Sequence, residues 1–179
     1  MKGNVRSHVV GNVCMQPPSG LRGPHPLGPA DLGACLALDR IALRGLWTPE
    51  QWARELSDES RLVLGLEDEQ HNLIALAAGW LVADELQITA VAVVPHQRKR
   101  GLGSLIVRAL IQRGQLKGAV EANLDVSSNN PAAIALYGSL GFVTTGFRRD
   151  YYRDGSDALL QRLKIETGRD IHTQQSENL

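Results

Sequence analysis

The stretch Val91-Ala92-Val93-Val94-Pro95-His96-Gln97-Arg98-Lys99-Arg100-Gly101-Leu102-Gly103-Ser104 decides the fold. A run rich in valine reads as a strand, Pro95 stops it, a short basic loop turns, and Gly101 and Gly103 open a helix. The start of a helix offers unpaired N–H groups and positive dipole potential, so it suits an anion. The two glycines let a ligand approach the backbone closely, and Arg98, Lys99 and Arg100 place three cations at the same mouth. In a chain with 19 Lys+Arg against 19 Asp+Glu, that concentration points to a phosphate or pyrophosphate. The stretch is neither a Walker A loop nor a six-residue dinucleotide fingerprint. Taken alone, it also describes a solvated basic loop ahead of an ordinary helix.

Upstream, Asp31 is expected to cap a helix running to about Leu43, with Leu32, Cys35 and Leu36 on one face. Thr48-Pro49-Glu50-Gln51 predicts a second helix to about Leu56, with Thr48 as N-cap, Pro49 at the first helical position and Gln51 closing a capping box. Arg61–Leu66, Leu73–Val82 and Leu86–Val94 read as strands. Downstream of the glycines, Leu102, Leu105, Ile106, Ala109 and Leu110 have helical spacing. A strand at about Glu121–Ser127 follows, then a helix from Pro131 to Leu140 capped by Asn130 and ended by Gly141. Two strands, near Phe142–Asp150 and Ala158–Ile165, close the pattern. Alternating strands and helices predict an α/β sheet with some parallel pairing.

The length of 179 residues fits one domain, and the 43% hydrophobic share is enough for a core. Residues 1–29 hold five of the eight prolines together with Gly20, Gly23 and Gly28, and they read as a flexible leader. The domain is expected over 30–167, with a polar tail at 168–179. The neutral charge total argues against nucleic-acid backbone binding as the main task. Apolar runs fall far short of the ~18 residues a membrane span needs, and the start lacks a secretory pattern, so a cytoplasmic location is expected. Cys14 and Cys35 are too few for a disulfide framework, and no Cys/His spacing suggests a metal.

Two stretches together resemble the GCN5-related N-acetyltransferases. Arg98-x-x-Gly101-x-Gly103 is similar to that family's pyrophosphate loop. The run Asn130-Pro131-Ala132-Ala133-Ile134-Ala135-Leu136-Tyr137-Gly138-Ser139-Leu140-Gly141-Phe142 is similar to its Asn-x-x-Ala-x-x-Leu-Tyr-x-x-x-Gly-Phe signature. Within the family, Asp84-Glu85, the run 132–142 and Arg148-Arg149-Asp150-Tyr151-Tyr152 resemble the ribosomal-protein-alanine N-acetyltransferases. The resemblance spans roughly residues 45–165. It implies a mixed, mostly antiparallel sheet with splayed central strands and flanking helices. It also implies acetyl-CoA as co-substrate without a metal, a protein N-terminus as acceptor, and a monomer or weak dimer. Residues 98–104 would cradle the pyrophosphate, and Asn130 would both cap its helix and reach the CoA arm. If Val91, Ala92 and Val93 end a strand splayed from its neighbour, their free N–H and C=O groups would pair with the amide-rich pantetheine.

The same resemblance makes Tyr137 the acid toward the departing thiolate and matches Asp125 to the family's basic glutamate. Asp125 is one methylene shorter, and Ser127 stands where an arginine is usual. Glu85, just before a strand, is a second candidate base. A short or distant base suits an α-amine, of pKa about 7.7–8.0, better than a lysine at about 10.4, whose deprotonation costs roughly 3.5 kcal/mol more. Tyr151 and Tyr152 are expected on the acceptor side, gripping a peptide; the other reading is an aromatic mini-core under the last hairpin. Trp47, Trp52 and Trp80 read as packing residues, and the five histidines suggest no site. A small-amine acetyltransferase and a non-catalytic acyl-CoA-binding module are the alternatives.

Overall fold

The computed structural model describes residues 19–166. Residues 1–18 of the expected leader and the expected tail at 168–179 lie outside the described residues. Seven strands form one sheet: β1 (Arg22–Pro26), β2 (Arg61–Glu67), β3 (Leu73–Val82), β4 (Glu85–Val93), β5 (Glu121–Ser127), β6 (Val143–Arg148) and β7 (Ala158–Lys164). Four helices connect them: α1 (Leu32–Ala42), α2 (Pro49–Ser57), α3 (Leu102–Leu116) and α4 (Pro131–Ser139). The strand order is β1-β2-β3-β4-β5-β7-β6. All neighbours are antiparallel except β4 and β5, which run parallel because α3 carries the chain across between them.

One expectation fails at the N-terminal side. Residues 22–26 are not a flexible leader but a strand, paired antiparallel with β2 through Arg22↔Glu67, His25↔Gly65 and Pro26↔Leu64. Proline excludes a helix and a central strand, but an edge strand needs partners on one side only. β1 occupies that edge, with a register shift between Arg22 and His25. Gly23, at φ +101°, comes so close to β2 that an added Cβ would lie 2.6 Å from the Gly65 carbonyl oxygen.

The core is built around β3, where every residue from Ile74 to Gly79 is buried. Consecutive burial requires cover on both faces, and α1 and α3 both pack on this strand. From α3 come Leu102, Ile106, Val107 and Leu110; from α1 and α2 come Cys35, Leu38, Trp52 and Leu56. The Cys35 thiol is fully buried, and burial, followed by the nearby Asp31 charge, pushes its pKa up to about 12, so it is inert. The capping box at Thr48 and Gln51 forms as its sequence requires. Asp31 behaves differently: its carboxylate accepts from the Gly28 N–H at 2.8 Å, closing a short turn ahead of α1 rather than capping the helix. Among the described residues no helix is long and apolar enough to cross a membrane.

The sheet is irregular on both sides of β4. This strand pairs with β5 only through Glu85↔Glu121, Leu86↔Ala122 and Gln87↔Asn123, and beyond these the strands part. On its other side, Gly79↔Ile88 is followed by Ala78↔Ala90, which leaves Thr89 as an extra bulged residue. Gly79 faces this bulge with no room to spare, since an added Cβ would lie 2.7 Å from the Gln87 carbonyl oxygen. Gly79→Ala is therefore expected to cost about 1–3 kcal/mol through overpacking, read as a lower urea midpoint with an unchanged slope. An unshifted midpoint would show that the bulge is plastic.

Candidate active site

Where β4 and β5 separate, a cleft of about 230 Å³ opens between them. Thr89, Ala90 and Val91 line one side, and Leu124, Asp125, Val126 and Ser127 the other. Asn130 and Tyr137 of α4 form one end, and Tyr152 and the α1–α2 loop, through Leu43 and Leu46, complete the wall. Beyond Gln87 the second edge of β4 has no strand partner among the described residues. Its N–H and C=O groups on that edge are thus free for an extended ligand. Of the three expected residues Val91 lines the cleft, and the Val93 carbonyl accepts from the Arg98 side chain.

The basic loop leads from β4 into α3. Lys99 and Gly101 both have left-handed backbone, φ 61° and 80°, so the chain doubles back before the helix begins. The N–H groups of residues 99–104 donate to no described group; the Leu105 N–H, bonded to the Gly101 carbonyl, is the first committed to the helix. That row of open donors fits a pyrophosphate. Arg98 stands outside that row, with its own partners in the protein. Its backbone N–H closes a turn on Pro95, its Nε donates to the Val93 carbonyl at 3.1 Å, and its Nη2 donates to the Ala42 carbonyl at 3.4 Å. Arg98 staples the loop to the C-terminus of α1, where a cation is favoured. Arg100 is tied to Gln97, and among the described residues neither Lys99 nor Arg100 has a carboxylate partner. Leu102 contributes backbone only, since its side chain is in the core, while Ser104 is half-buried in the first turn of α3. Gly103 has a packing reason as well, because an added Cβ would meet Leu136 of α4 at 3.2 Å.

Asn130 caps α4 by accepting from the Ala133 N–H at 3.1 Å, which leaves its amide nitrogen available to the cleft. Tyr137 is 8% exposed and packs edge-to-face on Phe142 at 5.7 Å. Burial, with a smaller contribution from Tyr152, pushes its pKa up to about 12, so its hydroxyl stays protonated at neutral pH. Tyr152 is also shifted upward, by burial first and then by the charge of Asp125. Tyr151 does not join it: it is exposed, stands edge-on to Tyr152 at 5.2 Å and lies beneath the Arg148 guanidinium at 5.3 Å. Phe147 is exposed as well, so no aromatic mini-core forms under the last hairpin.

The two candidate carboxylates end up apart. Asp125 lines the cleft and pairs with Arg148 at 2.8 Å. Glu85 sits at the closed end of the β4–β5 ladder, four residues from Thr89, about 13 Å along a strand. There it accepts from the side-chain amides of Gln87 and Asn123, both at 3.2 Å. Glu85 is not part of the cleft, because its strand begins where the sheet is still zipped.

A residue the sequence pattern did not single out holds the wall opposite. Asp39 is 1% exposed and accepts from the Leu46 N–H at 2.8 Å, the Trp47 N–H at 3.1 Å and the Trp52 indole at 2.8 Å. It fixes the α1–α2 loop against the core. Its position with Cys35 and Leu38 on the buried stripe of α1 is the signal that was there to read.

A splayed parallel pair, with open helix-start donors at one end and a buried tyrosine at the other, is the architecture of an enzyme that transfers an acyl group from a CoA thioester. The chain belongs to the acetyltransferase (GNAT) family, whose model matches residues 36–142. It is an acetyl-CoA-dependent N-acetyltransferase. It is similar to the [ribosomal protein bS18]-alanine N-acetyltransferase of Salmonella typhimurium, 33% identical over 140 residues that cover 72% of this chain and 95% of that protein. It is also similar to the N-alpha-acetyltransferase RimI of Mycobacterium tuberculosis, 32% identical over 74% of this chain and 86% of that one. The crystal structure of the Escherichia coli ribosomal-protein-S18-alanine N-acetyltransferase superposes with a TM-score of 0.74 at 32% identity, covering 87% of this chain and 96% of that one.

Asp39→Asn replaces an acceptor oxygen with a donor facing N–H groups. It is expected to cost about 1–3 kcal/mol in a denaturant titration, and to raise the acceptor KM more than the acetyl-CoA KM. Equal changes in both KM values would remove Asp39 from the acceptor wall.

Proposed function

We propose that this enzyme acetylates the α-amine of a protein N-terminus, with the N-terminal alanine of a ribosomal protein as acceptor. The observation that carries the reading is the charge of the cleft: among its lining residues Asp125 is the only charged side chain. One carboxylate in an otherwise neutral cleft suits a single ammonium. A polyamine, with several, would find no further partners, which disfavours the small-amine alternative. The named activities of the relatives similar over most of the chain support the same acceptor class.

Acetyl-CoA supplies an activated acyl group on a thiol leaving group. The open N–H row at residues 99–104 and the Lys99 and Arg100 side chains hold its pyrophosphate, and the free edge at Val91 with the Asn130 amide holds its arm. At pH 7 an α-amine of pKa about 7.7–8.0 is already partly neutral, so Asp125 needs only to orient it and pass its proton to water. Tyr137 keeps its own proton: at a pKa of about 12 it is a weaker acid than a thiol, at about 8.5. Its hydroxyl thus serves by donating a hydrogen bond to the negative charge that develops on the departing sulfur.

Tyr137→Phe is accordingly expected to lower kcat by about 10²–10³-fold with little change in acetyl-CoA affinity. A kcat within about twofold of wild type would leave Tyr137 a packing residue. The acceptor assignment is checked by mass spectrometry of a peptide carrying both a free N-terminal alanine and an internal lysine. The α-amine should be modified and the lysine hardly at all, given the roughly 3.5 kcal/mol difference in deprotonation. Equal modification would overturn it.

A further inference from the structure

Arg148 closes β6 and pairs with Ala158 of β7, while Asp125 on β5 pairs with Leu160 of β7. Its side chain therefore reaches across the whole width of β7 to place Nη1 2.8 Å from the Asp125 carboxylate. The guanidinium is half-exposed, at 52%, rests over the Tyr151 ring and is not among the residues that line the cleft. The cleft's only charge is thus neutralised from outside, by a cation on the flexible end of a long side chain. Exposed pairs of this kind are weak, so a second cation of suitable geometry can take the place of the first.

We infer that Arg148 is the resident counter-ion of Asp125, and that the incoming α-ammonium displaces it. This rests on the α-amine acceptor proposed above. The exchange keeps the carboxylate paired while the cleft is empty. It releases Arg148 toward solvent and the Tyr151 face when the acceptor seats. Arg148 is then a specificity-determining residue: it sets a threshold that a cationic N-terminus can cross and that a neutral one, such as an already acetylated chain, has no means of crossing.

The test uses the full-length enzyme, acetyl-CoA and a peptide beginning with a free alanine, with the N-acetylated form of the same peptide as competitive inhibitor. In Arg148→Gln the peptide KM should fall by about two- to five-fold, the range of an exposed pair. The inhibition constant of the acetylated peptide, which has no ammonium, should not move, and neither should the acetyl-CoA KM. Arg148→Lys should return the peptide KM toward wild type. A raised peptide KM, or parallel movement of the peptide KM and the inhibition constant, would overturn the exchange and make Arg148 a contact for the chain beyond its first residue. Wild-type enzyme that modifies lysines but no α-amine would instead overturn the acceptor assignment, and the exchange with it.

Discussion

The parting of β4 from β5 is the constraint on which the rest depends. Three residue pairs zip the strands, and from Ile88 onward the ladder is abandoned. Leaving backbone donors and acceptors unpaired is costly in a protein interior, so such an opening persists only where water or a ligand can satisfy them. A local irregularity accompanies it: Thr89 bulges out of register against Gly79 on the other side of β4. The opening is built into the sheet itself.

Charge is distributed around this opening in two opposite patches, within a chain whose formal total is zero. At the start of α3, Lys99 and Arg100 accompany open N–H donors, which suits an anionic co-substrate. Inside the cleft the single charge is the Asp125 carboxylate, which suits a cationic acceptor. Tyr137 and Asn130, both from the α4 region, line the cleft together with Asp125.

Two polar side chains, the buried Asp39 and the exposed Arg98, hold the walls. Asp39 spends both carboxylate oxygens on the α1–α2 loop and on Trp52, and Arg98 ties the basic loop ahead of α3 to the last turn of α1. Both converge on the segment from Ala42 to Trp47, so the cleft wall and the basic loop share a common anchor. The arrangement explains why an arginine heads the loop even though its guanidinium does not face the mouth.

Local chemistry was legible without the fold. The Thr48 and Asn130 caps, the boundaries of β3 and β5, and the helix opened by Gly101 and Gly103 follow from residues within a few positions of each other, and all appear in the structure. The splayed central strands were implied by the family resemblance, and the β4–β5 ladder shows the splay. Only the tertiary structure decided which side chains share the cleft. Glu85 and Asp125 looked equivalent as candidate bases, yet one lies where the strands are zipped and the other where they are parted. Tyr151 and Tyr152 are adjacent, yet only the second turns inward. Arg148 meets Asp125 across an intervening strand, a contact with no trace in linear spacing. The Pro/Gly-rich segment at 22–26 reads as irregular until β2 offers it an edge. Composition and periodicity specify what each segment can form, because those preferences act over a few residues. Which distant groups meet is set by strand register and by where a ladder ends, and those are properties of the assembled sheet.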